Sequence, residues 1–277
     1  PAHDEGAVIG RCLRPLRAAC QAGQLRIIVI ANGCSDDTAA QARTACPEAL
    51  VLDSATAGKT AALNLGHARA DRGLPVVVLD GDLETRADDI LALVAPLRAG
   101  MALAASGVMA LDLSRVSRPV AAFQRAWATN PYFARGKFGG LFALSPAGAA
   151  RVFPLPQVTA DDEFIRRHFL PAETAFVPAC RFVAHPPRHL RGLLATRRRA
   201  LRGARALAAQ GMKDPTGGQS AAVMLRAALG RRWGLADMAI YAVVMLAVRL
   251  ALALESPRAA QHWERDLSSR MVPGGRA

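Results

Sequence analysis

Two short apolar runs stand out in the first third of the chain. Leu25–Ala31 (LRIIVIA) is rich in β-branched residues and lies between Gly23 and Asn32-Gly33. Pro75–Leu79 (PVVVL) is a second such run, and Asp80-Gly81-Asp82 follows it. Apolar runs of this length between turn residues are typical of buried strands. The pattern therefore predicts two buried strands, each followed by polar residues.

The segments between these runs have a helical composition. Asp37–Thr44 and Thr60–Ala70 are the two predicted helices, and Thr60 stands where an N-cap residue is expected. Strands that alternate with helices predict an α/β fold with a doubly wound parallel sheet. Such sheets bind ligands at the carboxyl ends of their strands, and Asn32 and Asp80 follow those ends.

The second half of the chain has a different pattern. Arg188–Arg205 holds seven arginines, and Leu235–Leu254 is the most apolar stretch, although Asp237 and Arg249 interrupt it. The uninterrupted apolar core has about 11 residues, which is shorter than the roughly 20 that span a bilayer. A tilted span, an interfacial helix and a buried core helix all stay open. Of these we expect a helix in contact with lipid.

The distribution of charged residues also differs between the two halves of the chain. Residues 1–110 hold 10 Lys and Arg against 12 Asp and Glu, whereas the remaining residues hold 25 against 10. A basic surface of this kind faces phosphate groups of nucleotides, lipids or nucleic acid. Aromatic residues make up only 5% of the chain, so the stacking platforms that bind nucleic acid are scarce. We therefore expect a nucleotide and a membrane surface as partners, and no nucleic acid.

Asp80-Gly81-Asp82 is a candidate metal site. Hard cations such as Mg²⁺ and Mn²⁺ bind one or two protein carboxylates together with phosphate oxygens of a substrate. Asp80 and Asp82 offer two carboxylates one residue apart, beside a glycine that lets a ligand approach. The alternative interpretation is a solvated turn before the next helix.

Three further motifs precede this one, and their order is informative: Pro1-Ala2-His3-Asp4-Glu5, Asn32-Gly33-Cys34-Ser35-Asp36-Asp37-Thr38 and Gly58-Lys59-Thr60-Ala61-Ala62-Leu63-Asn64-Leu65-Gly66. Together the four motifs resemble the family 2 glycosyltransferases of the GT-A fold over residues 1 to about 205. The resemblance implies a mixed or parallel Rossmann-like sheet flanked by helices. It also implies an inverting transfer from a nucleotide sugar, a UDP- or GDP-sugar, with Mg²⁺ or Mn²⁺ as cofactor.

The resemblance also implies which residues contact the donor: Ala2, Asp4, Glu5, Asn32, Lys59 and Asp80. Asn32 stands where many relatives have an Asp that reads the base. Lys59 is expected to reach a phosphate or the base, since a flexible ammonium after glycine can reach an anion. Asp36 and Asp37 either cap the following helix or contact the donor.

The acceptor side is predicted in the second half of the resemblance. Sugar transfer to a hydroxyl needs a base that removes the acceptor proton, and the resemblance implies this role for Asp161, with Asp162 as the alternative. A helix N-terminus that carries acidic residues is the structural alternative. Gly139 and Gly140 lie in a segment that resembles the strand and loop under the acceptor, where glycine permits close approach.

Arg199 and Arg202 are candidate ligands for phosphate. Thr196–Gly203 resembles the Gln-x-x-Arg-Trp motif of processive polysaccharide synthases, with Arg199 on the Arg. Thr196 and Ala200 replace the Gln and the Trp, which disfavours a processive polymerase. The guanidinium groups are expected to bind the leaving diphosphate or a lipid phosphate, or else form a solvated basic helix face.

The sequence thus predicts a glycosyltransferase domain over residues 1–205 and a helical region over 206–277 that is a candidate for membrane association. The donor half covers residues 1–105 and the acceptor half 106–205, and the start at Pro1 inside the first motif predicts a truncated first strand. The predicted acceptor is a lipid-linked or cell-surface glycan at the cytoplasmic face of the cell membrane, as in polysaccharide biosynthesis of the cell envelope. A nucleotidyltransferase and a decayed, basic membrane-binding module are the alternatives.

Overall fold

The computed structural model describes residues 1–130, 133, 137–212, 214, 230 and 234–255. The strands are β1 (Ile28–Asn32), β2 (Leu50–Ser54), β3 (Val76–Leu79), β4 (Glu84–Thr85), β5 (Ala104–Leu111), β6 (Leu141–Leu144) and β7 (Thr174–Ala184). The helices are α1 (Gly6–Leu13), α2 (Arg17–Gln21), α3 (Thr38–Ala45), α4 (Lys59–Ala68), α5 (Ala87–Arg98), α6 (Arg118–Ala128), α7 (Pro146–Val152), α8 (Asp161–Arg166), α9 (Leu190–Ala209) and α10 (Leu235–Ala253). Short 3₁₀ helices cover Arg14–Leu16 and Pro171–Glu173.

The strands form two sheets. β1 and β2 pair in parallel, and Ala2 joins β1 through a parallel bridge with Ala31. The other sheet has the order β3-β6-β5-β7-β4. In it β6 is antiparallel to both β3 and β5, and β4 is antiparallel to β7.

The predicted strands and helices are present, and the strand pairing is mixed, as the resemblance implied, and not parallel throughout, as the alternation of strands and helices alone indicated. The predicted runs became β1 and β3, and the predicted helices became α3 and α4. A strand that is buried on both faces has the same apolar composition beside a parallel or an antiparallel neighbour, so the sequence pattern did not reveal the direction of β6. The predicted N-cap of α4 is wrong. Gly58, whose φ of 145° suits glycine, occupies that position instead of Thr60.

The described residues fall into two compact units. The first comprises residues 1–110 with 137–184, and the second comprises residues 111–130 with 185–255. The predicted boundary after residue 205 lies inside α9 (Leu190–Ala209), so the two units follow other divisions of the chain.

The first unit has two apolar cores, one for each sheet. One core packs α1 and α3 against β1 and contains Ile9, Val29 and Ala42. The other packs α5 against the five-stranded sheet and contains Leu93, Leu141 and Phe182. These cores hold the ends of β1 and β3, where the predicted donor residues lie.

The second unit is a group of helices. Val120 and Phe123 of α6, Leu193 of α9, and Val244 and Val248 of α10 form its core. The Arg125 guanidinium of α6 also donates two hydrogen bonds to the carboxylate of Asp237 in α10, at 2.8 and 2.7 Å. One face of α10 is therefore fastened to α6.

The opposite face of α10 is exposed in the part of the chain that the structure describes. The helix is long and apolar enough to cross a membrane, with a mean hydropathy of 2.0, and 11% of its apolar window is buried. Val243, Leu246, Leu250 and Leu254 are between 55% and 86% exposed. Their spacing of three, four and four residues places them on one side of the helix. A fully buried core helix, one of the three interpretations left open, does not fit this exposure.

Candidate active site

Asp80 follows the last residue of β3 and is held against the loop that leads into β6. Its backbone N–H donates to the carbonyl oxygen of Gly140 at 2.8 Å. Gly140 has a φ of 84°, and a Cβ there would lie 2.6 Å from Oδ2 of Asp80. Glycine is therefore required at this position both for the backbone conformation and for the close approach of the carboxylate.

The side chain of Lys59 joins the donor-side and acceptor-side acids. Its Nζ lies 2.9 and 3.1 Å from the two carboxylate oxygens of Asp80, 2.9 Å from Asp161 and 3.5 Å from Asp162. Three carboxylates thus face one ammonium, and the cluster keeps an excess of negative charge when all are ionised. We call these four residues the acidic cluster.

The acidic cluster shifts the proton affinities of its members. Burial alone would lower the pKa of Lys59, but the charges of Asp161, Asp162 and Asp80 outweigh it and raise that pKa well above its ordinary value. Burial and the neighbouring Asp161 and Asp80 raise the pKa of Asp162, although Lys59 opposes the change. Asp162 therefore binds a proton more readily than an ordinary aspartate.

The three consecutive acidic residues of α8 contact two different sets of partners. Asp161 and Asp162 point at Lys59, whereas the carboxylate of Glu163 accepts hydrogen bonds from Arg166 and Arg167 at 2.7 and 2.9 Å. Burial raises the pKa of Glu163, but these two guanidinium groups overcome it and lower that pKa. The structural alternative of an acidic helix N-terminus thus describes Glu163, which stabilises the helix itself.

Helix α4 also holds the loop that precedes α8. The side-chain amide of Asn64 donates to the carbonyl oxygen of Leu155 at 2.9 Å, and its oxygen accepts from the N–H of Leu155 at 2.7 Å. His67 stacks on Phe153, with ring centroids 4.2 Å apart. Since Lys59 is the first residue of α4, one helix fixes both Lys59 and the loop that leads to its carboxylate partners.

The first two motifs meet beside β1. The Asn32 side chain is buried, and its amide donates to the Ala2 carbonyl at 2.8 Å while its oxygen accepts from the N–H of Gly58 at 3.1 Å. The Asp4 carboxylate accepts from the N–H of Ser35 at 2.7 Å. Asn32 therefore links Ala2 to the residue next to Lys59.

Glu5 connects this region to the loop Asp80-Gly81-Asp82. Its backbone N–H donates to Thr38 at 2.7 Å, and a Cβ on Gly81 would collide with its carboxylate. Asp36 accepts from the N–H of Gly6 and of Thr38, both at 3.0 Å. Asp36 thus ties the start of α1 to the start of α3, whereas Asp37, the N-cap residue of α3, makes no capping hydrogen bond with its side chain.

Residues 1–149 match the family described as Glycosyl transferase family 2. The chain belongs to glycosyl transferase family 2. The resemblance inferred from the four ordered motifs is thereby confirmed.

Solved structures agree with this family 2 glycosyltransferase in fold. The mannosyltransferase PcManGT from Pyrobaculum calidifontis, in complex with GDP-Man and Mn²⁺, is 23% identical; the match covers 94% of this chain and 75% of that one, with a TM-score of 0.57. Glucosyl-3-phosphoglycerate synthase from Mycobacterium tuberculosis, in complex with Mn²⁺, UDP and glucosyl-3-phosphoglycerate, is 21% identical; the match covers 77% and 79%, with a TM-score of 0.52. The predicted GT-A fold with a mixed sheet is confirmed. No curated protein matches the chain.

The first unit contains most of the site residues predicted from the sequence, but two of them lie in the second unit. Arg199 and Arg202 belong to α9 in the second unit, where Arg202 forms an ion pair with Glu255. Gly139 lies beside Met109, since a Cβ there would be 3.0 Å from the Met109 sulfur. The phosphate and acceptor roles of these residues stay predictions.

Two residues that support the site were not predicted. Arg11 of α1 donates to the carbonyl oxygen of Asp82 at 3.1 Å and pairs with Glu84 at 2.9 Å. Asn64 was visible as part of the third motif, but its partner Leu155 is 91 residues away. Only the tertiary structure shows either contact, because nothing local in the sequence marks Arg11 or Leu155.

Proposed function

We propose that the chain transfers a sugar from a nucleoside diphosphate sugar to an acceptor hydroxyl, with inversion at the sugar carbon. The observation that carries the proposal is the acidic cluster, in which donor-side Asp80 and acceptor-side Asp161 and Asp162 contact the same ammonium. Both halves of the reaction thus meet within a few ångströms. PcManGT in complex with GDP-Man and the mycobacterial synthase in complex with UDP support a nucleotide donor.

Asp80 and Asp82 are the residues that would hold a divalent cation. Asp80 already binds a cationic group, the Lys59 ammonium, through both carboxylate oxygens. Gly81 and Gly140 add no side chain beside it, and carboxylate oxygens are the ligands that Mg²⁺ and Mn²⁺ prefer. A bound cation would neutralise charge that develops on the leaving diphosphate. The two similar structures both contain Mn²⁺.

Asp162 is the better placed of the two candidate bases. Its side chain is 29% exposed, whereas that of Asp161 is 9% exposed and lies closer to Lys59. Its raised pKa also suits a group that must accept a proton. Asp162 removes the proton of the acceptor hydroxyl while the bond between the sugar carbon and the diphosphate breaks, and the acceptor oxygen bonds to the opposite face of that carbon. Asp161 then holds Lys59 in place.

Donor contacts are assigned to the region beside β1. Asp4 and Glu5 offer carboxylates that accept hydrogen bonds from the ribose or base. Lys59 is near enough to the metal ligand Asp80 to contact the diphosphate. Asn32 serves the donor through its oxygen and amide, and in the structure these also position Gly58 and Ala2.

The second unit is assigned to a membrane surface. The exposed apolar stripe of α10 suits the headgroup boundary of a bilayer, and the exposed Arg249 reaches its anionic headgroups. A lipid-linked or surface glycan acceptor at the cytoplasmic face fits such an enzyme. We assign Arg199 and Arg202 to the phosphate of a lipid-linked acceptor.

Product analysis tests the reaction. The protein is incubated with Mn²⁺ and with UDP- or GDP-sugars in the presence of membrane extract as acceptor, and released nucleotide is identified by chromatography. Release of nucleoside diphosphate that is lost in Asp82→Ala supports the proposal. A parallel incubation supplies a nucleoside triphosphate and a sugar 1-phosphate instead of the nucleotide sugar, and release of pyrophosphate there would show a nucleotidyltransferase. No turnover with any donor would show a binding module.

A further inference from the structure

The Lys59 ammonium lies against the carboxylate of Asp80, which is the group that would bind a divalent cation. It lies within 3.1 Å of both oxygens of Asp80, so neither oxygen faces solvent without a cation beside it. The Lys59 side chain is 24% exposed and that of Asp80 is 28% exposed. A second cation that approaches Asp80 therefore meets a positive charge at short range, and in a partly buried site this repulsion is only weakly screened.

Lys59 is held in this position by more than Asp80. Asp161 and Asp162 contact the same ammonium from α8, and Asn64 fastens the loop before α8 to the helix that begins with Lys59. Three carboxylates therefore favour the position of the ammonium in the donor-free protein. Only a ligand with comparable negative charge competes with them for Lys59.

We infer that Lys59 acts as an internal counter-cation that keeps divalent metal off Asp80 until a nucleoside diphosphate draws the ammonium away. This inference rests on the proposed function, because it takes Asp80 as a metal ligand and the diphosphate as the donor's leaving group. Metal and donor then bind cooperatively. Each one favours the arrangement in which Lys59 contacts phosphate and Asp80 contacts metal, and such coupling is reciprocal.

The arrangement gives Lys59 opposite effects on two ligands, which a purely structural role does not. Removal of its charge strengthens the binding of metal alone, because Asp80 loses a competing cation. The same change weakens the binding of nucleoside diphosphate, because the diphosphate loses a cationic partner. A general loss of structure would weaken both.

The test measures Mn²⁺ binding to the full chain without any nucleotide, by the electron paramagnetic resonance signal of free Mn²⁺. Lys59→Gln removes the charge but keeps a hydrogen-bond donor, and Lys59→Met is the second variant should the first not fold. We expect the Kd for Mn²⁺ to fall about tenfold relative to the unmodified protein, an order of magnitude for the loss of one close charge. An unchanged or higher Kd in the folded variant would overturn the inference.

Three controls locate the effect. Lys59→Arg keeps the charge and should leave the Kd for Mn²⁺ as in the unmodified protein. Arg26→Gln removes one positive charge at an exposed ion pair with Asp71 and should also have no effect. Adding Asp80→Asn to Lys59→Gln should abolish the increase in affinity for Mn²⁺. An increase that persists in the double variant would place the metal elsewhere and overturn the inference.

A second titration repeats the measurement with UDP or GDP present. The tenfold difference in Kd for Mn²⁺ between Lys59→Gln and the unmodified protein should disappear, because the diphosphate has already displaced Lys59 from Asp80 in the unmodified protein. An advantage of the same size with nucleotide would contradict the displacement. The Mn²⁺ titration without nucleotide needs no turnover, so its outcome is separate from that of the product analysis.

Discussion

The two units of the chain use charge in opposite ways. In the first unit, acidic and basic side chains face each other in partly buried clusters, as Lys59 does with Asp80, Asp161 and Asp162. In the second unit, an apolar helix face is exposed, and residues 111–130 and 185–255 carry 15 Lys and Arg against 4 Asp and Glu. Opposed charges at close range can bind and activate a small ligand, whereas exposed apolar and basic groups suit an extended surface. We therefore propose that the chemistry takes place in the first unit and that the second unit contacts a membrane.

The largest expected effect separates two neighbouring acids of the first unit. Asp162→Asn should lower kcat about 10³-fold, the scale of a lost general base. Asp161→Asn should cost less, because Asp161 positions Lys59 and does not take the proton. Steady-state rates of nucleoside diphosphate release measure both. A larger loss in Asp161→Asn would return the role of base to Asp161.

The third acid of α8 tests whether charge in the first unit also stabilises the fold. Glu163→Gln removes the partner of two nearly buried guanidinium groups and should lower the free energy of unfolding by about 2 kcal/mol at neutral pH. The folded protein depresses the pKa of Glu163, so this stabilisation is present above its ordinary pKa and is lost as the pH falls through the folded value. Urea unfolding at several pH values measures the change.

Glu173→Gln is the matched control for Glu163→Gln. Glu173 pairs with Arg151 at 2.8 Å, but this guanidinium is 38% exposed. The control should therefore have a smaller effect than Glu163→Gln. Equal losses of unfolding free energy in the two variants would show that burial of the ion pairs of Glu163 adds nothing to stability.

Asn64 tests whether the site depends on the loop before α8. Asn64→Ala removes both hydrogen bonds to Leu155 and should lower kcat about 30-fold, since small displacements of a catalytic group cost large factors in rate. Donor affinity and the number of donor sites, measured by calorimetry, should stay unchanged. Thr44→Ala, which removes an exposed hydrogen bond to Ala40, is the control. A parallel loss of donor sites would show that Asn64 only maintains the fold.

The smallest expected effect concerns the second unit. Leu246→Gln with Leu250→Gln should weaken binding to vesicles of phosphatidylcholine and phosphatidylserine about tenfold, because two side chains lose apolar contact with lipid. Leu74→Gln with Met101→Gln makes the same change at exposed apolar residues of the first unit and should have no effect. Vesicle co-sedimentation measures both, and equal losses would remove the distinction between the units.

The sequence predicted the first unit better than the second, for a physical reason. Motifs such as Asp80-Gly81-Asp82 and Gly58-Lys59 combine chemistry and turn geometry in a few adjacent residues, so they are visible locally. The direction of β6 and the contact between Asn64 and Leu155 depend on residues far apart in the chain. The ion pair between Arg202 and Glu255 joins residues 53 positions apart, so the sequence did not reveal it either.

We propose that the first unit holds a metal-assisted nucleotide-sugar site. Thermal unfolding of the full chain with Mn²⁺ and a panel of UDP- and GDP-sugars tests it most directly, with Asp82→Ala measured in parallel. A ligand that binds only the folded protein raises its Tm, so we predict a metal-dependent rise with one nucleotide class that Asp82→Ala abolishes. An unchanged Tm with every donor, or the same rise in Asp82→Ala, would contradict the claim.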